Sequence, residues 1–162
     1  MKSPVRKHLS LLLVAGTLIS FSTFGQYRTA VGVRFNSAPS LTIKHHLTKK
    51  NALEGLLMGY GNGLTATLLY EVHQGMGEKG LRWYYGAGGH LGAWRDGRRR
   101  YGPYYVGEGG FHMGVDGILG MEYTFSGAPI NLSLDWKPAF QLIGNPGLYL
   151  GDVGLSLRFA IQ

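Results

Sequence analysis

Six histidines, nine carboxylate side chains and no cysteine bound the chemistry open to this chain of 162 residues. A serine hydrolase requires a hydroxyl, a histidine and an acid in mutual hydrogen-bond reach. Ser133 and Asp135 in NLSLDWK, with His112 in FHMGVDG, supply the types. A metal centre requires spaced ligands on one face. His45 and His46 are adjacent, so in a strand their side chains leave opposite faces and cannot chelate together. His90 and His112 can point the same way with Asp116 beyond, but no spaced ligand set supports a metal. GAGGHLG at 86–92 precedes no helix, so it is not a dinucleotide fingerprint. Neither a metal nor a cofactor is expected. The other run able to do chemistry is basic and aromatic: Arg95, Arg98, Arg99 and Arg100, followed by Tyr101, Tyr104 and Tyr105. Guanidinium groups bind phosphate bidentately, so this run suits a surface loop contacting anionic headgroups. A solvated loop is the competing reading.

The elements that would position these residues begin after an export signal. MKSPVRKH carries Lys2, Arg6 and Lys7, LSLLLVAGTLISF is a short apolar run, and STFGQ supplies small residues. This is the plan of a cleaved signal peptide over residues 1–25, the apolar run falling short of the roughly 20 residues that cross a bilayer as a helix. Three of the 16 Lys and Arg lie in it and none of the nine Asp and Glu, leaving thirteen against nine. The basic excess is concentrated at 95–100, which does not describe a nucleic-acid-binding surface. The absence of cysteine excludes a disulfide framework and a thiolate metal site.

Residues 26–162 divide at turn signals into about eight strand-length segments with no helical pattern, as one all-β domain. The segment 52–60 is the least regular, because Leu56-Leu57-Met58 interrupts its alternation. A two-residue turn at Ser126-Gly127 would set Phe125 opposite Ala128, Asp116 opposite Lys137 and Gly117 opposite Trp136. It would also set His112 opposite Gln141, eight residues along the strand from Ser133. At about 3.4 Å per residue this is on the order of 27 Å, and the hydrolase triad fails.

The alternation sorts each strand into two faces. One carries Arg28, Arg34, Asp116, Glu122, Asp135, Lys137, Asp152 and Arg158, interleaved with Gly32, Gly86, Gly88, Gly92, Gly114, Gly120 and Gly154. Glycine on a solvated strand face weakens the strand, whereas inside a narrow barrel it leaves room for large side chains opposite. The other face is a belt of Val, Leu and aromatic residues, with Phe35, Tyr123, Phe125, Phe140 and Phe159 near segment ends. Helices and closed sheets alone satisfy every backbone group in lipid. The expected architecture is therefore an eight-stranded antiparallel up-and-down transmembrane β-barrel, charged inside and apolar outside. Eight strands leave an interior that side chains fill, so the inward charges should form a polar network with no open pore. A secreted lipocalin-like ligand-binding barrel, with the leucines inward, is the alternative.

The chain resembles the small outer-membrane β-barrels of Gram-negative bacteria, of the OmpX and OmpA transmembrane-domain type. The last strand carries the most specific likeness, DVGLSLRF, in which Gly154, Leu157 and Phe159 match the signal read by the barrel-assembly machinery; Ala-Ile-Gln then follows where an aromatic terminus is usual. DGILGMEYTF with INLSLDWKPAF also resembles a strand pair of uncharacterised porin-like barrels. The resemblance implies a monomer in the outer membrane, in contact with its lipid and with lipopolysaccharide, in a structural or surface-interaction role without catalysis. Under it the run 95–110 lies outside the cell, facing lipid A phosphates. Some such barrels modify lipid A, which keeps an enzyme as the second functional reading, although the His-x-Ser pattern of the lipid A deacylases is missing at His90 and His112.

Overall fold

The computed structural model describes residues 28–95, 99–101, 104–106 and 110–161. The segment 1–25, expected as a signal peptide, lies outside them. All regular structure among the described residues is β: β1 (Thr29–Phe35), β2 (Ser40–His46), β3 (Asn51–Tyr60), β4 (Gly63–Gly75), β5 (Leu81–Trp94), β6 (Arg99–Tyr101), β7 (Tyr104–Val106), β8 (Gly110–Thr124), β9 (Ile130–Trp136), β10 (Ala139–Ile143), β11 (Gly147–Tyr149) and β12 (Val153–Ile161). Each neighbouring pair is antiparallel, and β1 closes onto β12 from Thr29↔Ile161 to Phe35↔Leu155. β6 and β7 form a separate hairpin between β5 and β8, which pair directly with each other.

The strands make eight staves, because two of them are interrupted. Proline has no N–H to give to a ladder, and Pro138 separates β9 from β10, both of which pair with β8. The Pro138 carbonyl still accepts from Gly117 N–H at 2.8 Å. On the next stave Leu150, Gly151 and Asp152 separate β11 from β12, and Lys137 N–H donates to the Asp152 carbonyl at 2.8 Å. The β3–β4 hairpin turns in two residues, with Gly61 at φ +49° in the first central position, where a type II′ turn demands positive φ.

Two expectations are corrected. The β8–β9 hairpin is longer than a two-residue turn: Phe125 N–H bonds to the Ile130 carbonyl, and Leu119 faces Trp136 while Asp116 faces Ala139. The register differs from the expected one by two residues, an even number, so every side chain keeps its face. Segment 52–60, counted as a strand with interrupted alternation, is β3, and the interruption is absent. Leu56 points inward at 5 % exposure and Leu57 outward at 43 %, so strict alternation persists with an apolar residue on the polar side.

The orientation of the faces is decided by burial. Leu134 and Leu155 are each 51 % exposed, and Phe35, Leu119, Trp136, Phe140, Leu157 and Phe159 are exposed with them. Arg34, Lys44, Glu54, Glu71, Glu122 and Arg158 are buried. A soluble barrel has the reverse arrangement. Among the described residues the interior also holds two apolar clusters: Leu56, Leu69, Tyr84 and Ile118, on the wall made by β3, β4, β5 and β8, and Tyr60 with Trp94.

Candidate functional site

The lumen is the site, and it is built by parity: inward positions on adjacent staves stack into a ladder of charges. Near the end carrying turns 47–50, 76–80 and 125–129, Lys44 Nζ lies 2.8 Å from Glu71, 3.1 Å from Glu54 and 3.7 Å from Glu122. It also sits 4.0 Å over the Tyr84 ring. Arg158 pairs with Glu54 and donates to Thr42 at 3.0 Å, Ser133 at 2.8 Å and Asn131 at 3.2 Å. Tyr84 O–H donates to Asp135 at 3.3 Å and so joins this group to the next. Arg34 binds Asp135 at 2.6 Å and Asp152 at 2.9 Å, and Lys137 binds Asp152 at 3.2 Å and Asp116 at 3.0 Å. His90 meets Asp116 at 2.7 Å. His112, stacked on Trp94, reaches Thr65 at 2.9 Å. Ion pairs and hydrogen bonds, linked by the Lys44–Tyr84 cation–π contact and the His90–His112 ring contact, therefore run along the lumen.

Glycine makes the room for it. A Cβ on Gly120 would stand 2.6 Å from the Tyr84 ring and 2.8 Å from Asp135 Cβ. One on Gly154 would strike the Arg34 guanidinium, and those on Gly92 and Gly114 would strike His112 and His90. Gly154, expected as part of an assembly signal, thus has a packing reason of its own, while Leu157 and Phe159 face outward.

Of the expected inward network, Arg34, Asp116, Glu122, Asp135, Lys137, Asp152 and Arg158 are brought together. Arg28 is not: it precedes β1, beyond the last rung of the closing strand pair, and is exposed. Lys137 reaches Asp116 diagonally from two residues off register. Glu54 and His73 were missed. Glu54 lies in the segment whose leucines obscured its parity, and His73 sits near the end of β4, where inward direction alone would have marked it. In the loop, Arg95 is exposed at the end of β5, and the backbone hairpin pairs Arg99 with Val106, Arg100 with Tyr105 and Tyr101 with Tyr104. Arg98 lies outside the described residues.

The catalytic sets considered from the sequence do not assemble. Ser133 bonds Arg158, toward the end opposite His112. The Thr65–His112 pair does join a hydroxyl to an imidazole, but Thr65 is 1 % exposed and His112 fully buried, closed to any substrate. His45 points outward to Thr29 Oγ1, as adjacency to His46 required. A different trio converges: His46, His73 and Glu122 are all buried, and each can offer one ligand atom within 4.8 Å of the other two.

Neither a protein-family model nor a curated protein matches the sequence. Among solved structures, the fold is similar to the crystal structure of the N-terminal β-barrel domain of Pseudomonas aeruginosa OprF. The TM-score is 0.59 and the identity 17 %, over 82 % of this chain and 95 % of that one. The chain is a closed eight-stranded antiparallel barrel of that fold. The likeness is one of architecture alone.

Proposed function

We propose that this chain is an outer-membrane barrel with a filled lumen, serving as a structural and surface-interaction element and neither a solute channel nor an enzyme. The observation that carries the reading is the inversion: leucines and aromatics half exposed around the whole barrel, and ion pairs buried within it. An exposed apolar belt of this extent is sustained by lipid. No helix among the described residues is long and apolar enough to cross a membrane, so the strands would span it. Export by the segment 1–25 and recognition of Gly154, Leu157 and Phe159 by the assembly machinery complete the route to the outer membrane. On that reading the 95–110 connection faces outward, and its arginines are the contact to lipopolysaccharide phosphates.

Fractionation tests the location. Heat-modifiable electrophoretic mobility in the outer-membrane fraction is expected; recovery as a soluble periplasmic protein would overturn it. Replacing Arg98, Arg99 and Arg100 by Ser should weaken retention on immobilised lipopolysaccharide without altering heat-modifiability. Lipid A of unchanged mass upon expression is expected, and a new lipid A species would restore the enzymatic reading.

A further inference from the structure

We propose that the lumen holds a divalent transition-metal site formed by His46, His73 and Glu122, suited to zinc. The three come from β2, β4 and β8, which are not neighbours in the sheet, so they converge across the lumen and not along one ladder. His73 is the centre of the argument. Its Nε2 lies 3.0 Å from Glu71 and its Nδ1 lies 3.2 Å from Glu122, so both ring nitrogens face carboxylate oxygens. A neutral imidazole donates through one nitrogen only. With Nε2–H given to Glu71, the Nδ1 lone pair is turned toward Glu122, and two electron-rich atoms confront each other. A second proton on the ring resolves that opposition, and so does a metal ion held between the two atoms.

The geometry suits a metal in that place. Zinc takes nitrogen and oxygen ligands at about 2.0–2.2 Å in a tetrahedron, which puts ligand atoms about 3.3 Å apart. The Nδ1 to Glu122 distance already has that value, and His46 completes the trio. The ring of His46 meets that of His73 edge-on at 5.0 Å, and its ligand nitrogen lies within 4.8 Å of the other two donor atoms. Glu71 supplies the outer carboxylate that commonly fixes the tautomer of a metal-bound histidine. Two imidazoles and one carboxylate favour zinc, nickel or cobalt over calcium or magnesium, which prefer oxygen alone. Around the trio, Glu54, Glu71 and Glu122 face Lys44 and Arg158, with Arg82 on the stave beside Glu122, so carboxylates and fixed cations balance. The site lies at the barrel end carrying the turns 47–50, 76–80 and 125–129. There half-buried Arg82 reaches the Lys49 carbonyl at 3.3 Å. Three protein ligands leave a fourth position for water, as an open site does.

The test uses the untagged mature chain refolded in zwitterionic detergent, stripped with chelator and titrated with ZnCl2 by calorimetry. One zinc per barrel is expected. His46→Ala and His73→Ala should each weaken binding at least tenfold, while His45→Ala, one residue away and outward, leaves it unchanged. X-ray absorption of the zinc-loaded wild type, which needs no variant to fold, should show two imidazoles and at least one oxygen. Absence of stoichiometric binding, binding that survives both inward substitutions in a folded barrel, or a zinc shell without imidazole would each overturn the proposal.

Discussion

Replacing Arg158 by Met tests whether the lumen is a set of dry, mutually dependent ion pairs. Arg158 is fully buried and satisfies Glu54, Thr42, Ser133 and Asn131. Met fills much of the same space without a donor, so Glu54 loses a cation and keeps Lys44 and the Thr42 hydroxyl. Breaking one partner out of a buried pair costs about 3–5 kcal/mol, chiefly from the charge left behind. With a urea slope of about 2 kcal/mol per molar, the unfolding midpoint should fall by on the order of 2 M. The double variant Arg158→Met, Glu54→Gln removes that orphaned charge and leaves Lys44 with Glu71 and Glu122. It should recover more than half of the loss, a coupling of roughly 2 kcal/mol between neighbours. The assay is urea unfolding in detergent micelles, followed by tryptophan fluorescence and by electrophoretic mobility without boiling. A single-variant loss under about 1 kcal/mol would refute the reasoning, because a hydrated lumen would screen the pair as a surface does. A double variant no better than the single would refute it equally.

Three further outcomes follow from the same geometry. Leu134→Arg, on the outward face of β9, should destabilise the barrel by about 2–4 kcal/mol in a bilayer; an effect within about 0.5 kcal/mol, as on a water-exposed surface, would argue that no lipid covers the belt. Gly120→Val should abolish the heat-modifiable form by colliding with Tyr84 and Asp135, whereas Gly127→Val, with nothing within 4 Å, should fold normally; equal folding of both would remove the packing role of the lumen glycines. Planar bilayers containing the wild-type barrel should record no stable unitary conductance, and steady channels would show that the ion-pair plug leaves a path.

The two-faced sorting of the strands was legible because side-chain direction depends only on parity. The β8–β9 register was misjudged by two residues, yet Asp135, Lys137 and Trp136 kept their sides, and Lys137 still reached Asp116. What the sequence hid was of two kinds. Leu56 is an apolar residue on the charged face, so β3 read as irregular and Glu54 with it. Its inward position makes sense only beside Leu69, Tyr84 and Ile118 from three other strands. The convergence of His46, His73 and Glu122 depends on the registers from β2 through β8 together, which no single hairpin discloses. Arg28 failed for a simpler reason: alternation continued past the residue where the sheet begins.

The lumen contacts have a consequence for the order of assembly. Arg34 meets Asp135 across 101 residues, and Arg158 reaches Thr42 across 116. These partners lie on staves either side of the seam where β1 joins β12. Until that seam shuts, the guanidinium of the last strand and the carboxylate of β3 have no common interior to meet in. Contacts so remote along the chain are slow to form, since the loop they close must be ordered first. Sealing the wall and setting the plug are then one event, so a chain stalled before its final strand holds a half-cylinder of exposed charges, not a partly stable barrel.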